Sequence, residues 1–138
     1  MCTHFQRIGS ARADLQQKAR CLQTCADIDV PNAYHALLKA AEQLFGLEQQ
    51  LMEDYAFPVR QSHLEQHARV LRALHCVHVS VLNGATDSAR HVGGELLPDW
   101  LHLHHDTIDA AFALWTEYCD HGLINPREPT GQRGPTAH

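Results

Sequence analysis

Apolar residues recur at three- and four-residue spacing in four stretches of the sequence, at about 4–26, 31–55, 58–82 and 96–121. This spacing is typical of one buried face of an α-helix, and no alternating run typical of a strand accompanies it. Pro31 and Pro58 suit the first turns of helices, and the pair Asn83-Gly84 suits a helix end. Four such helices with mostly short connections predict an all-α fold, an up-down-up-down antiparallel four-helix bundle spanning residues 1–122.

Two segments fall outside this helical pattern. Residues 85–95 are predicted to form a connection with room for a short helical turn. Residues 123–138 contain three prolines and two glycines, and this composition predicts a disordered tail. The chain is therefore expected to be one globular domain followed by a Pro/Gly-rich C-terminal segment.

Charge and hydropathy limit the classes of partner. The chain has 11 Lys and Arg against 16 Asp and Glu, and no basic patch runs along it, so nucleic acid is not expected as a partner. No apolar run approaches about 18 residues and the first residues carry no export signal, which argues against a membrane or secreted protein. The five scattered cysteines are then expected to be reduced thiols in the cytoplasm. The oligomeric state is left open.

Histidine makes up twelve of the 138 residues, so its placement matters more than its number. An α-helix turns by about 100° per residue, which allows side chains to be assigned to faces. His63 and His67 fall in the middle of the apolar face of the third stretch, and Glu48 falls in the middle of that of the second. Because a buried carboxylate without a partner costs several kcal/mol, Glu48 needs a partner in the core.

The fourth stretch adds two polar residues, His104 and Asp109, which flank its apolar face and can lean toward the interior. The predicted metal ligands are therefore Glu48, His63, His67, His104 and Asp109. Imidazoles and carboxylates suit iron, zinc, manganese or cobalt, and a cation would compensate the buried carboxylates. The alternative is a core in which the histidines hydrogen-bond the carboxylates without a metal. Surface or loop positions are expected for His35, His75, His91, His102, His105, His121 and His138.

The stretch FGLEQQLMEDYAFPVRQSHLEQH, followed by DWLHLHHDTID, resembles the hemerythrins and bacteriohemerythrins, the hemerythrin HHE cation-binding family. The interval from Glu48 to His63, the pair His63-x3-His67 and the pair His104-x4-Asp109 keep the family's spacing, and the resemblance covers about residues 8–120. Family members are four-helix bundles in which a di-iron centre binds O2. The resemblance implies iron, mononuclear or dinuclear, with zinc or manganese as alternatives. It also implies O2 or another small diatomic or peroxide ligand.

Two positions depart from the family's pattern. Leu44 and Leu15 stand where relatives carry histidines of the second iron, and His4 replaces one of these only if the first helix is displaced by three turns. A single iron cannot give O2 two electrons as the family's iron pair does, which argues against reversible O2 carriage. The implied function is a hemerythrin-like metal-binding protein related to O2 carriers and sensors, with a degenerate three-His site. Ligand binding rather than catalysis is expected, and no catalytic residue is predicted. The alternative is a metal-free bundle that acts as a sensory or interaction module.

Overall fold

The computed structural model describes the backbone of residues 2–120 and the side chains of residues 5–107 and 110–120. Within this range the chain is all-helical and contains no strand, which confirms the all-α prediction. The helices are α1 (Cys2–Thr24), α2 (Val30–Asp54), α3 (Arg60–Leu82), the short α4 (Thr86–His91) and α5 (Leu97–Asp120). The four long helices match the four apolar stretches to within about two residues, the usual uncertainty of helix ends. The predicted tail at 123–138 lies outside the described residues, as does the predicted end of the domain.

The helix ends follow the local chemistry at most of the predicted points. Pro31 is the second residue of α2, where the absent N–H costs no helical hydrogen bond. Helix α3 ends at Leu82, and the pair Asn83-Gly84 follows it directly; Gly84 has a φ of 95°, a backbone conformation that glycine adopts without strain. The prediction for Pro58 was wrong, because α3 begins at Arg60 and Pro58 lies in the turn before it.

The predicted connection at 85–95 is instead mostly helical. Helix α4 runs through a π-helical turn, Val92–Leu96, directly into α5. Gly93 packs so closely on α1 that a Cβ at this position would lie 2.8 Å from Leu22 Cδ2. Arg90 binds the end of α1 by donating hydrogen bonds to the carbonyls of Leu22 and Cys25, both at 2.8 Å. The glycine pair therefore serves close packing here rather than a loop.

The core lies where α1 packs on α2 and α2 packs on α3, and the π-helical turn closes against α1. Its largest fully buried side chains include Leu15, Leu22, Tyr34, Leu44 and Leu74. Burial of each leucine contributes about 1.5–3 kcal/mol. The Tyr34 hydroxyl donates a 2.6 Å hydrogen bond to the Leu74 carbonyl, so α2 and α3 are also joined by a polar contact. Among the described helices, none combines the length and the apolar character that crossing a bilayer requires.

Candidate metal centre

Three helices bring four of the predicted ligands to one place in the interior. Glu48 comes from α2, His63 and His67 come from α3, and His104 comes from α5. All four residues are buried, with 2% to 6% of their surface exposed. One donor atom of each residue lies within 4.8 Å of the donor atoms of the other three. The four side chains therefore form a compact group of the kind that holds a metal ion.

The local sequence explains why these side chains point inward. His63 and His67 are four residues apart, so they share one face of α3. Glu48 follows buried Leu44 by four residues and precedes buried Met52 by four, so it occupies the core face of α2. Because the apolar residues of each face pack in the core, the polar residues on the same face are buried with them.

The remaining predicted ligand is Asp109 on α5. Its side chain lies outside the described residues, and so does that of His4 on α1. A role for either residue stays a prediction.

One carboxylate oxygen of Glu48, Oε2, faces all three imidazoles of the group. It lies 3.1 Å from His67 Nε2, 3.4 Å from His63 Nε2 and 3.9 Å from His104 Nε2. Two ligand atoms bound to one ion at 2.0–2.1 Å in tetrahedral geometry are about 3.3 Å apart. The spacing of these donor atoms therefore fits a single ion with small adjustments.

The other carboxylate oxygen, Glu48 Oε1, faces two residues that the sequence analysis did not assign to the site. His105 Nε2 lies 3.3 Å from it, and an Nη atom of Arg12 on α1 lies 3.8 Å from it. The expectation that His105 lies at the surface was wrong, since only 11% of its side chain is exposed. The sequence feature that could have suggested a role for Arg12 is its position about one helical turn before the buried Leu15.

The charges of the group suit metal binding. Burial raises the pKa of Glu48, but the four imidazoles facing its carboxylate lower that pKa by more, so the net pKa lies well below the usual range. Burial is the main cause that lowers the pKa of His67. Glu48 is therefore ionised near neutral pH and His67 is neutral, and these are the protonation states that metal ligands require.

Several nitrogens of the group have no hydrogen-bond partner among the described residues. His67 Nε2 is one of them although Glu48 Oε2 is 3.1 Å away, and His104 Nε2 is another. The Nδ1 atoms of His63 and His67 also lack a partner there. Buried polar atoms rarely stay unsatisfied, so the Nε2 atoms of His67 and His104 require a partner beside Oε2, whereas His63 Nε2 already lies at hydrogen-bond distance from Oε2, 3.4 Å. A metal ion fits this requirement.

Aromatic rings hold the imidazoles in place. The Phe45 ring stacks on His67 with centroids 4.0 Å apart, and the Trp100 ring stacks on His104 with centroids 4.4 Å apart. The rings of His63 and His104 also stack, at 4.4 Å. These contacts restrict the ring orientations before any ligand binds, which lowers the ordering cost of binding.

No model of a known protein family matches the chain, and no match was found among curated proteins or solved structures. We therefore infer the function from the geometry of the group formed by Glu48, His63, His67 and His104.

Proposed function

We propose that the chain is a hemerythrin-like, non-heme metal-binding protein, an up-down-up-down bundle related to O2 carriers and sensors. Its ligands are Glu48, His63, His67 and His104, with Asp109 as a further ligand, and its metal is iron. The observation that carries the proposal is the convergence of a buried carboxylate oxygen and three imidazole nitrogens from three helices. Zinc and manganese accept the same donors and are the alternatives.

The arrangement of Glu48 favours one ion rather than two. A carboxylate that bridges two ions uses one oxygen for each, whereas Oε1 here lies 3.8 Å from the Arg12 guanidinium. A cation close to Oε1 repels a second metal ion. Leu15 and Leu44, which stand where the resemblance places the missing histidines, are both 0% exposed and fill that region with apolar volume.

The protein's own side chains set the properties of the centre. A bound divalent ion supplies a Lewis-acidic position for O2 or another small diatomic or peroxide ligand. His63, His67 and His104 bind the ion, and Glu48 compensates part of its charge. Phe45 and Trp100 fix ring orientation and exclude water from two sides of the group. Binding of a small ligand, rather than catalysis, is what this set of groups supports.

Metal analysis of the purified chain tests the proposal. We expect close to one equivalent of metal per chain after expression in metal-replete medium, with iron dominant and an optical spectrum that changes on exposure to O2. The variant His104→Leu should lose most of the metal, because it removes one of the three imidazole ligands. The matched control is His75→Leu, since His75 likewise faces a glutamate of α2, Glu42, at 3.2 Å, but is exposed and lies outside the group. A parent protein that binds no metal would contradict the proposal and favour a metal-free interaction or sensory module.

A further inference from the structure

A cavity of about 220 Å³ lies directly beside the candidate metal centre. Arg12, Glu48 and His63 line its polar end. Its remaining walls are mostly apolar and include Met52 and Phe112. The cavity therefore joins a charged end, next to the metal ligands, to an apolar body.

The size of the cavity exceeds what a diatomic ligand needs. A water molecule takes up about 30 Å³ in the liquid, so the cavity corresponds to about seven water molecules. A ligand that fills it has about seven or eight non-hydrogen atoms. Phe5, which is 46% exposed, and the exposed Gly9 border the cavity on the solvent side, so such a ligand can reach it.

The charges at the polar end favour an anion. The Arg12 guanidinium and a bound divalent ion together outweigh the two negative charges of Glu48 and the proposed ligand Asp109, which leaves this end positive. A guanidinium presents paired N–H donors whose geometry matches a carboxylate. The apolar walls next to it favour a ligand with a hydrocarbon part.

We propose that this cavity binds a small monocarboxylate of about six carbons, counting the carboxylate carbon. The carboxylate lies at the end formed by Arg12 and His63, and the chain lies along Met52 and Phe112. This inference rests on the proposed function, because the metal ion supplies the excess of positive charge.

Calorimetric titration of the metal-loaded full chain with hexanoate tests the inference, with the metal content measured on the same sample. Hexylamine, which has the same chain length and the opposite charge, is the control ligand. Arg12→Gln should weaken hexanoate binding by about tenfold, the usual effect of losing a charged hydrogen bond.

A second pair of variants tests the cavity itself. A Cβ at Gly9 meets no atom within 4 Å, so the side chain of Gly9→Leu can extend into the cavity without displacing the backbone. We expect it to weaken hexanoate binding by at least about tenfold while metal content is kept. Gly46→Leu is the matched control, since Gly46 is an exposed helical glycine with equally open surroundings but does not line the cavity.

The outcomes separate the two proposals. Hexanoate binding that is lost in Gly9→Leu, kept in Gly46→Leu and absent for hexylamine supports the inference. A chain that holds its metal ion but does not bind hexanoate overturns the inference and leaves the proposed function standing. Hexanoate binding by Gly9→Leu that equals that of the parent has the same consequence. A parent chain without metal overturns the proposed function, and this inference with it.

Discussion

Replacing His67 by leucine should change stability in opposite directions with and without metal. The His67 ring is buried, stacks on Phe45 at 4.0 Å and lies 3.1 Å from Glu48 Oε2. A leucine keeps an apolar contact with Phe45 and removes one metal ligand. Glu48 still has His63 at 3.4 Å and His105 at 3.3 Å, so its carboxylate is not left alone in the core.

The expected change in stability differs between the metal-free and the metal-bound protein. In the presence of a chelator, His67→Leu removes ring nitrogens that lack partners among the described residues. Because an unsatisfied buried polar group costs about 1–3 kcal/mol, we expect the variant to be as stable as the parent or more stable. With metal at about 100 times its dissociation constant, the parent gains about 2.7 kcal/mol. For a chain of this size that gain raises Tm by about 10 °C.

Thermal unfolding followed by circular dichroism, with chelator and with iron, measures both states. The parent and the control His75→Leu should be stabilised by iron to the same extent, and His67→Leu should be stabilised far less. An equal rise in Tm for all three proteins would refute the reasoning, because the ion would then bind elsewhere. The absence of a rise in any of them would refute the metal site itself.

Three further predictions concern other parts of the molecule. Leu15→His combined with Leu44→His and with Arg12→Gln, which removes the charge near Glu48 Oε1, should raise the metal content from one ion to two, and an unchanged content would mean that these positions do not face the centre. Gly93→Ala should lower the free energy of unfolding by about 1–3 kcal/mol in urea titrations, because its Cβ would press on Leu22 at 2.8 Å; an unchanged value would show that Leu22 yields freely. Burial raises the pKa of Tyr34 above the ordinary 10.0, so above that pH the unfolded chain ionises this hydroxyl before the folded protein does. The contribution of the neutral hydroxyl to the free energy of unfolding is therefore complete below pH 10.0 and is lost as the pH rises further. Absorbance titration should then show one tyrosine that ionises only as the protein unfolds, and ionisation of every tyrosine in the folded state would contradict this.

The periodic part of the fold was predictable because burial of one helix face repeats regularly along the sequence. The four long helices follow from that period alone. The segment containing Gly93 was not predictable in the same way, since two adjacent glycines are typical of loops. Their role is visible only once Leu22 of α1 is seen against them.

In the candidate site, too, only some of the residues could be predicted from the sequence. Glu48, His63 and His67 could be assigned because each lies in the middle of an apolar face, so its direction follows from the helix geometry alone. Arg12 and His105 could not be assigned by this argument. Arg12 is long enough to reach Glu48 from beside its helix's core face, and His105 is about 100° around the helix from His104. The spacing between helices decides whether such side chains reach the interior, and the sequence does not encode that distance locally.

Anomalous scattering from a crystal, recorded at the iron and zinc absorption edges, tests the central claim most directly. We expect one peak about 2.0–2.2 Å from Glu48 Oε2 and the facing nitrogens of His63, His67 and His104, with the iron edge giving the signal. Two peaks would contradict the single-ion arrangement. No peak, with the imidazoles donating hydrogen bonds directly to Glu48, would contradict the metal centre altogether.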